Sequence, residues 1–257
     1  MINLTEDLNF DGYTLLIACV SVGNLSQMSA DLLINSLKMK RLGTMWHPAC
    51  APISGVNPYG YNHQTDTTSN YLTSLNTALE IFHDASKKIA ILQMRSSINN
   101  LLKQEFVDKL VEFLSGKNFT RILILSSCYS CKLTHLCDAV YRGTSAMHYT
   151  GCNDVDDVLS KSPNWIRYDS NDDNGSLINS IPGCAKALYE KCMERSLPVL
   201  LIFRYCTDGD NKNEAFLTTS VLNELIDVLN EANGELDIVV PKSWNYLYGN
   251  IPPDNIF

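Results

Sequence analysis

Polar residues with chemical potential follow directly on apolar runs in this chain: Ser21 and Gly23, Arg95 and Ser96, Ser126 to Cys128, and Asp208 to Asp210. In an open α/β sheet such positions gather at the carboxyl ends of the strands, where ligands bind. Brought together there, Arg95 offers a planar fork for phosphate. Ser126 or Cys128 offers a nucleophile, and Asp208 a base or orienting acceptor. Amides opening a helix after Asn24 would add anion donors. The plainer reading is that polar residues end strands and cap helices, with Arg95 paired to a carboxylate. No motif links these positions, so the plainer reading is preferred.

Cys128-x-x-Cys131, with His135 and Cys137 behind it, is the second constellation. Zinc takes thiolate and imidazole ligands tetrahedrally, and C-x-x-C supplies two at a workable bite. A structural site repeats the pair at a distance, whereas the later residues here (Cys137, His148, Cys152) are irregularly spaced. A redox dithiol is an alternative, because a neighbouring thiol or a helix start lowers a cysteine pKa. Chance is preferred to both, since short motifs match often. His47, His63 and His83 show no metal spacing, and there is no G-x-S-x-G elbow, Walker loop or G-x-G-x-x-G. The acidic run from Asp154 to Asp157 reads as a solvated face, since a calcium loop needs oxygens at alternate positions around a glycine turn.

The elements that would position these groups begin with Tyr13 to Val22, a nearly unbroken apolar run that suits a strand covered on both faces. Beyond Gly23-Asn24, Leu25, Met28, Leu32, Leu33 and Ser36 fall at helical spacing, and Asn24 is placed to cap that helix through its side-chain oxygen. Lys38 to Arg41 and Gly43 close it, and Thr44 to His47 reads as a short strand. The loop over 48–70 is rich in Pro, Gly, Asn and Thr and longer than a connector needs. Its Tyr59 and Tyr61 are the amphipathic kind of side chain that anchors interfaces.

From Leu75 to Met94 the pattern predicts a hairpin turning at Asp84 to Lys87. A helix follows with Leu102, Phe106, Leu110, Phe113 and Leu114 on one face and Gly116 at its end, then a buried strand from Arg121 to Ser127. Residues 128–180 carry weak signals: a short helix over Leu133 to Tyr141, then an acidic surface excursion. Pro182-Gly183 opens another helix, Val199 to Tyr205 is a core strand, and a long helix sets Leu217, Val221, Leu222, Leu225 and Leu229 toward the core. With residues 1–12 as a polar lead-in, this alternation predicts a three-layer α/β fold, its sheet mostly parallel with one β-hairpin.

The 257 residues, 45% hydrophobic and 19% charged, suffice for a full core. No linker divides them, which predicts one domain over 1–257 with a short tail from about 249. A net charge of −8 argues against nucleic acid and suits a partner presenting basic groups. No segment is long enough to span a bilayer. Acidic Glu6, Asp7 and Asp11 are the wrong flank for a secretory signal. The nine cysteines are odd in number, and Cys19 and Cys206 lie inside apolar runs, as reduced buried thiols do. The expected compartment is the cytoplasm with access to the nucleus, where the sequon Asn118-Phe119-Thr120 carries no weight. The tail crowds Trp244, Tyr246, Leu247 and Tyr248, stiffens at Pro252-Pro253 and ends in Ile256 and Phe257. Such an arm suits insertion into a pocket on another protein, or folding back on its own core.

Several of these stretches together resemble the proteasome assembly chaperone 2 family. They are YTLLIACVSVGNLSQMSADLLINSL, Asn57-Pro58-Tyr59, LQMRS, RILILSS, IPGCAKALYEKC and the ending VPKSWNYLYGNIPPDNIF. The similarity runs in order from about residue 12 onward and is poorest over 60–75 and 128–180. The resemblance implies a phosphorylase/hydrolase-like fold and a non-enzymatic protein without catalytic residues, cofactor or metal. It implies a heterodimer with proteasome assembly chaperone 1 that binds α subunits of the proteasome core particle. That dimer promotes the α ring, prevents off-pathway ring association and is lost as the particle matures. Related proteins dock a C-terminal hydrophobic-Tyr-any motif between α subunits. This chain departs from that pattern, with Ile256 in the tyrosine position and Phe257 last. The alternative from the residues alone is a phosphorylase- or hydrolase-like enzyme using Arg95, Ser126 and Asp208.

Overall fold

The apolar run after Tyr13 forms a central strand, β2 (Thr14–Ala18), lying between two parallel neighbours, β7 (Ile89–Met94) and β8 (Arg121–Tyr129). The structure is a computed structural model that describes residues 2–5, 8–59, 75–132, 146–151, 155–168 and 176–246. Its other strands are β1 (Ile2–Leu4), β3 (Lys40–Met45), β4 (Ser54–Val56), β5 (Leu75–Thr77), β6 (Leu79–Asp84), β9 (Met147–Gly151), β10 (Trp165–Arg167), β11 (Val199–Cys206), β12 (Glu231–Ala232) and β13 (Glu235–Leu236). Nine of them make one sheet in the order β1-β3-β6-β7-β2-β8-β11-β9-β10. Its centre, β7-β2-β8-β11, is parallel, with antiparallel pairs toward the edges.

Side chains alternate across this centre. Leu16, Ile91, Leu123 and Ile202 face a layer holding α1 (Leu25–Ser36) and α6 (Lys212–Ile226). Leu15, Leu92, Ile124 and Phe203 face α2 (Lys103–Ser115) and α5 (Ala185–Glu194). Two further helices, α3 (Asp156–Leu159) and α4 (Ser176–Asn179), are single turns. Helices on both faces explain why the central strands read as unbroken apolar runs. The expected three-layer α/β architecture is the observed one, and the hairpin is β6–β7. A second small hairpin, β12–β13, lies outside the large sheet. Among the described residues no helix is long and apolar enough to cross a membrane.

Several boundaries differ from the sequence reading for physical reasons. The lead-in contains β1, which pairs antiparallel with β3. α1 ends at Ser36 and turns at Lys38 (φ 49°), so Lys40 and Arg41 open β3, which runs to Met45 and not over Thr44 to His47. Both charged residues are accommodated because Lys40 is exposed and Arg41 reaches a buried carboxylate on β6. β8 continues through Cys128 and Tyr129. The supposed surface excursion holds β9 and β10, and β9 is antiparallel to β11. The expected helix over Leu133 to Tyr141 lies outside the described residues. On α6 the buried stripe is Ala215, Thr218, Thr219, Leu222 and Asn223, whereas Leu217 is exposed. Helix packing selects a face by fit to α1, and small residues there let the two helices approach.

Candidate functional site

A cleft of about 590 Å³ opens at the carboxyl ends of the parallel strands. Its walls come from the turn after β2 (Val20 to Asn24), the segment after β7 (Ser97, Ile98, Asn100), the end of β8 (Tyr129), the turn before α5 (Pro182 to Cys184) and the loop after β11 (Asp208, Gly209). β2 lies where the connections diverge to β7 on one side and β8 on the other, which is where a ligand cleft is expected in this class of sheet. The size is ordinary for a small-molecule site. What decides its use is the set of side chains that reach it.

Gly23 makes the turn above the cleft possible. Its φ is 58°, and an added Cβ would lie 2.1 Å from the Asn211 side chain and 2.8 Å from the Thr207 carbonyl oxygen. Asn24 also adopts a left-handed conformation and makes no side-chain cap for α1, contrary to the expectation. Its Oδ1 instead accepts from Gln27 Nε2 at 3.3 Å. Ser21 takes over the capping: its Oγ accepts from the Ser26 amide at 3.2 Å and pairs with the Ser26 hydroxyl at 2.7 Å. Ser26 in turn donates to the Cys19 carbonyl. The first turn of α1 is thus bound to its own connector.

Arg95 is committed elsewhere. Its Nη2 donates to Asp31 Oδ1 at 2.7 Å and to the Tyr59 hydroxyl at 2.8 Å. Tyr59 donates to Asp31, and Gln93 Nε2 donates to Asp31 Oδ1 at 2.9 Å and to the Gln27 carbonyl at 2.9 Å. Burial opposes the charge on Arg95, but Asp31 and Tyr59 outweigh it and hold the guanidinium pKa above its ordinary range. Burial first, and then Asp31, push the Tyr59 phenol well up, so it remains a donor. The network ties Asn57-Pro58-Tyr59 to α1 and β7. Close by, Arg41 bonds Glu80 Oε1 at 2.9 Å and the Leu75 carbonyl at 2.9 Å. The described ends of the long loop, Tyr59 and Leu75, are both held this way.

The other enzyme candidates fare no better. Ser126 is fully buried, and its hydroxyl has no hydrogen-bond partner among the described residues. It lies between Ile124 and Cys128, which pack in the α2/α5 layer, while Arg95 reaches α1 on the opposite face. Asp208 stands at the cleft rim, where its carboxylate accepts from Tyr129 at 3.3 Å and raises the Tyr129 pKa. The structure does not bring Arg95, Ser126 and Asp208 together. Cys128 is buried and its thiol is pushed up to about 12 by desolvation, whereas Cys131 is exposed in the following 3₁₀ turn. A thiol held protonated is a poor nucleophile and a poor metal ligand. His148 stacks on Phe203, ring centroids 5.3 Å apart. His135, Cys137, Cys152 and the tail residues Ile256 and Phe257 lie outside the described residues.

Asp31, Gln27 and Gln93 were not singled out in the sequence. A signal existed: Asp31 sits among apolar residues on the sheet-facing side of α1, where an acid requires a cationic partner.

The arrangement is a three-layer α/β fold with a cleft at the carboxyl ends of its parallel strands. The PAC2 family profile matches residues 15–232, so the chain belongs to the PAC2 family. It is 30% identical over 254 residues to "Proteasome assembly chaperone 2" of Xenopus laevis, covering 95% of this chain and 94% of that one. It is also 30% identical over 260 residues to the protein of the same name from Mus musculus, covering 95% of each. Among solved structures, Pyrococcus furiosus PbaA, described as an archaeal homolog of proteasome-assembly chaperone, superposes with a TM-score of 0.64 at 15% identity, over 90% of this chain and 83% of that one. Pyrococcus furiosus PbaB, described as an archaeal proteasome activator, gives 0.62 at 14% identity over 90% of each. These two support the fold.

Proposed function

We propose that this chain is a proteasome assembly chaperone that acts by binding, without catalysing a reaction on the subunits it holds. The observation that carries the reading is end-to-end similarity, at 30% identity over 95% of the chain, to proteins named for that role. The interior agrees with it. Arg95, the best anion-binding side chain in the sequence, is consumed by Asp31 and Tyr59, and Ser126 is sealed in the core.

In its finer form the proposal has the chain paired with proteasome assembly chaperone 1. The heterodimer holds α subunits of the core particle, promotes the α ring and keeps rings from associating off pathway. Specific protein interfaces bury about 1,600 Å² in total, so a broad face of the rigid body carries most of the affinity. The tail, through Ile256 and Phe257, orients the chaperone on the ring. The same reading places the chain in cytoplasm and nucleus, and a fluorescent fusion confined to another compartment would count against it.

The test is affinity purification of the full chain from cells under reducing conditions. Co-purification of the partner chaperone and of α subunits lacking mature β subunits is the expected result. Recovery of the chain without any proteasome component would overturn the proposal.

A further inference from the structure

Two cysteines lie on connectors beside the cleft. Cys19 directly follows β2, and Cys184 directly precedes α5 and lines the cleft wall. The two connectors are pressed together. Gly183 has a φ of 76°, and a Cβ added there would lie 3.0 Å from the Val20 carbonyl oxygen. Cys19 and Cys184 are the residues next to Val20 and Gly183 in this contact, and both belong to the cluster that packs β2 against α2 and α5. Cys19 is fully buried, so a reagent arriving through the cleft meets Cys184 first.

We propose that Cys19 and Cys184 form an oxidation site, in which a hydroperoxide entering the cleft converts the dithiol to a disulfide joining the end of β2 to the start of α5. The Cys184 thiolate attacks one peroxide oxygen, the O–O bond breaks, and Cys184 sulfenic acid forms with release of hydroxide or alkoxide. That base takes the proton from the Cys19 thiol. The Cys19 thiolate then attacks Cys184 Sγ, the S–O bond breaks, and the departing hydroxide leaves as water after protonation by solvent. Two thiols are oxidised and one peroxide is reduced, with no other reactant.

The order of events follows from the environment. The neighbouring Cys19 thiol lowers the Cys184 pKa, against the opposing effect of burial, while Cys19 itself is held well above its ordinary value by Cys184 and by desolvation. Cys184 is therefore the attacking sulfur and Cys19 the resolving one. The neighbouring buried thiols stay protonated: desolvation pushes Cys50 up to about 11 and Cys192 up to about 12. The site is independent of the chaperone reading and stands or falls without it.

The experiment exposes the folded full chain to hydrogen peroxide, quenches with catalase, alkylates after unfolding and maps the peptides. A Cys19–Cys184 linked peptide, with loss of both thiols and their recovery on reduction by dithiothreitol, is expected. In a Cys19→Ser variant, Cys184 sulfenic acid should accumulate and be trapped by a 1,3-dione. In Cys184→Ser, Cys19 should stay reduced. Quantitative alkylation of both residues in the wild-type chain, after treatment that oxidises exposed Cys131, would overturn the proposal. So would the linked peptide forming only in denaturant. The wild-type map decides the matter even if a serine variant folds poorly.

Discussion

Asp31 is the residue on which the buried polar network turns, because three side chains donate to it: Arg95, Tyr59 and Gln93. Removing one member of a buried ion pair leaves the other charge uncompensated, which costs about 3–5 kcal/mol. Arg95 keeps 21% of its side chain exposed, so Asp31→Asn should fall at the lower end, about 3 kcal/mol, read as a shift in the urea unfolding midpoint. A loss below about 0.5 kcal/mol, the range of ordinary surface substitutions, would show that Asp31 is not the hub. Glu80 tests the electrostatics from the other side. Burial raises its pKa despite Arg41 at 2.9 Å, so the folded state disfavours the ionised carboxylate. Its contribution is therefore fully present below the ordinary value of 4.5 and is lost as pH rises through the elevated folded value. Glu80→Gln mimics the protonated form. It should match the wild-type chain in stability near pH 4 and gain on it at pH 7, whereas an equal difference at both pH values would contradict the raised pKa.

At the scale of elements, the parts of the chain that bury two faces were legible, and the parts defined by their neighbours were not. β2, β7, β8 and β11 announce themselves as apolar runs because each is covered on both sides. β1 and β10 span three residues each, and Met147 to Gly151 alternates too weakly to reveal β9. Those strands exist through pairing with partners distant in sequence, such as Tyr149 opposite Ile202, and no local pattern encodes that. The candidate site was legible in outline, since Ser21, Gly23, Asp208 and Gly209 all reach one cleft. The preferred reading, Arg95 paired to a carboxylate, is the observed one, although period alone could not say that the carboxylate is Asp31 or that Ser126 faces inward. The turn after β2 shows how backbone form decides such a site. Gly23→Ala would force a side chain into a left-handed conformation and against the Thr207 carbonyl. Strain of this kind costs about 1–3 kcal/mol. A clear fall in melting temperature is expected, and an unchanged one would mean that the connector between β2 and α1 relaxes freely.

On the proposed function, affinity for α subunits divides between a rigid body and a short apolar tail. Burying Ile256 and Phe257 fully is worth about 1.5–3 kcal/mol each. Immobilising each rotamer-rich side chain takes back about 0.5–1.5 kcal/mol, and association as a whole costs an estimated 4–15 kcal/mol or more. The tail by itself therefore cannot hold a ring. Added to a body already docked, it supplies a net gain of about 2–3 kcal/mol, or roughly 30- to 160-fold in Kd. Deleting Asn255 to Phe257 should accordingly weaken binding to α-subunit assemblies by about that factor, measured by surface plasmon resonance, with the melting temperature unchanged. On the same proposal, pairing with the partner chaperone should persist, because the deletion removes only the tail. A truncated chain that binds α subunits as tightly as the full one would remove the tail from the mechanism. One that loses binding entirely would place the affinity in the tail and contradict the rigid-body account.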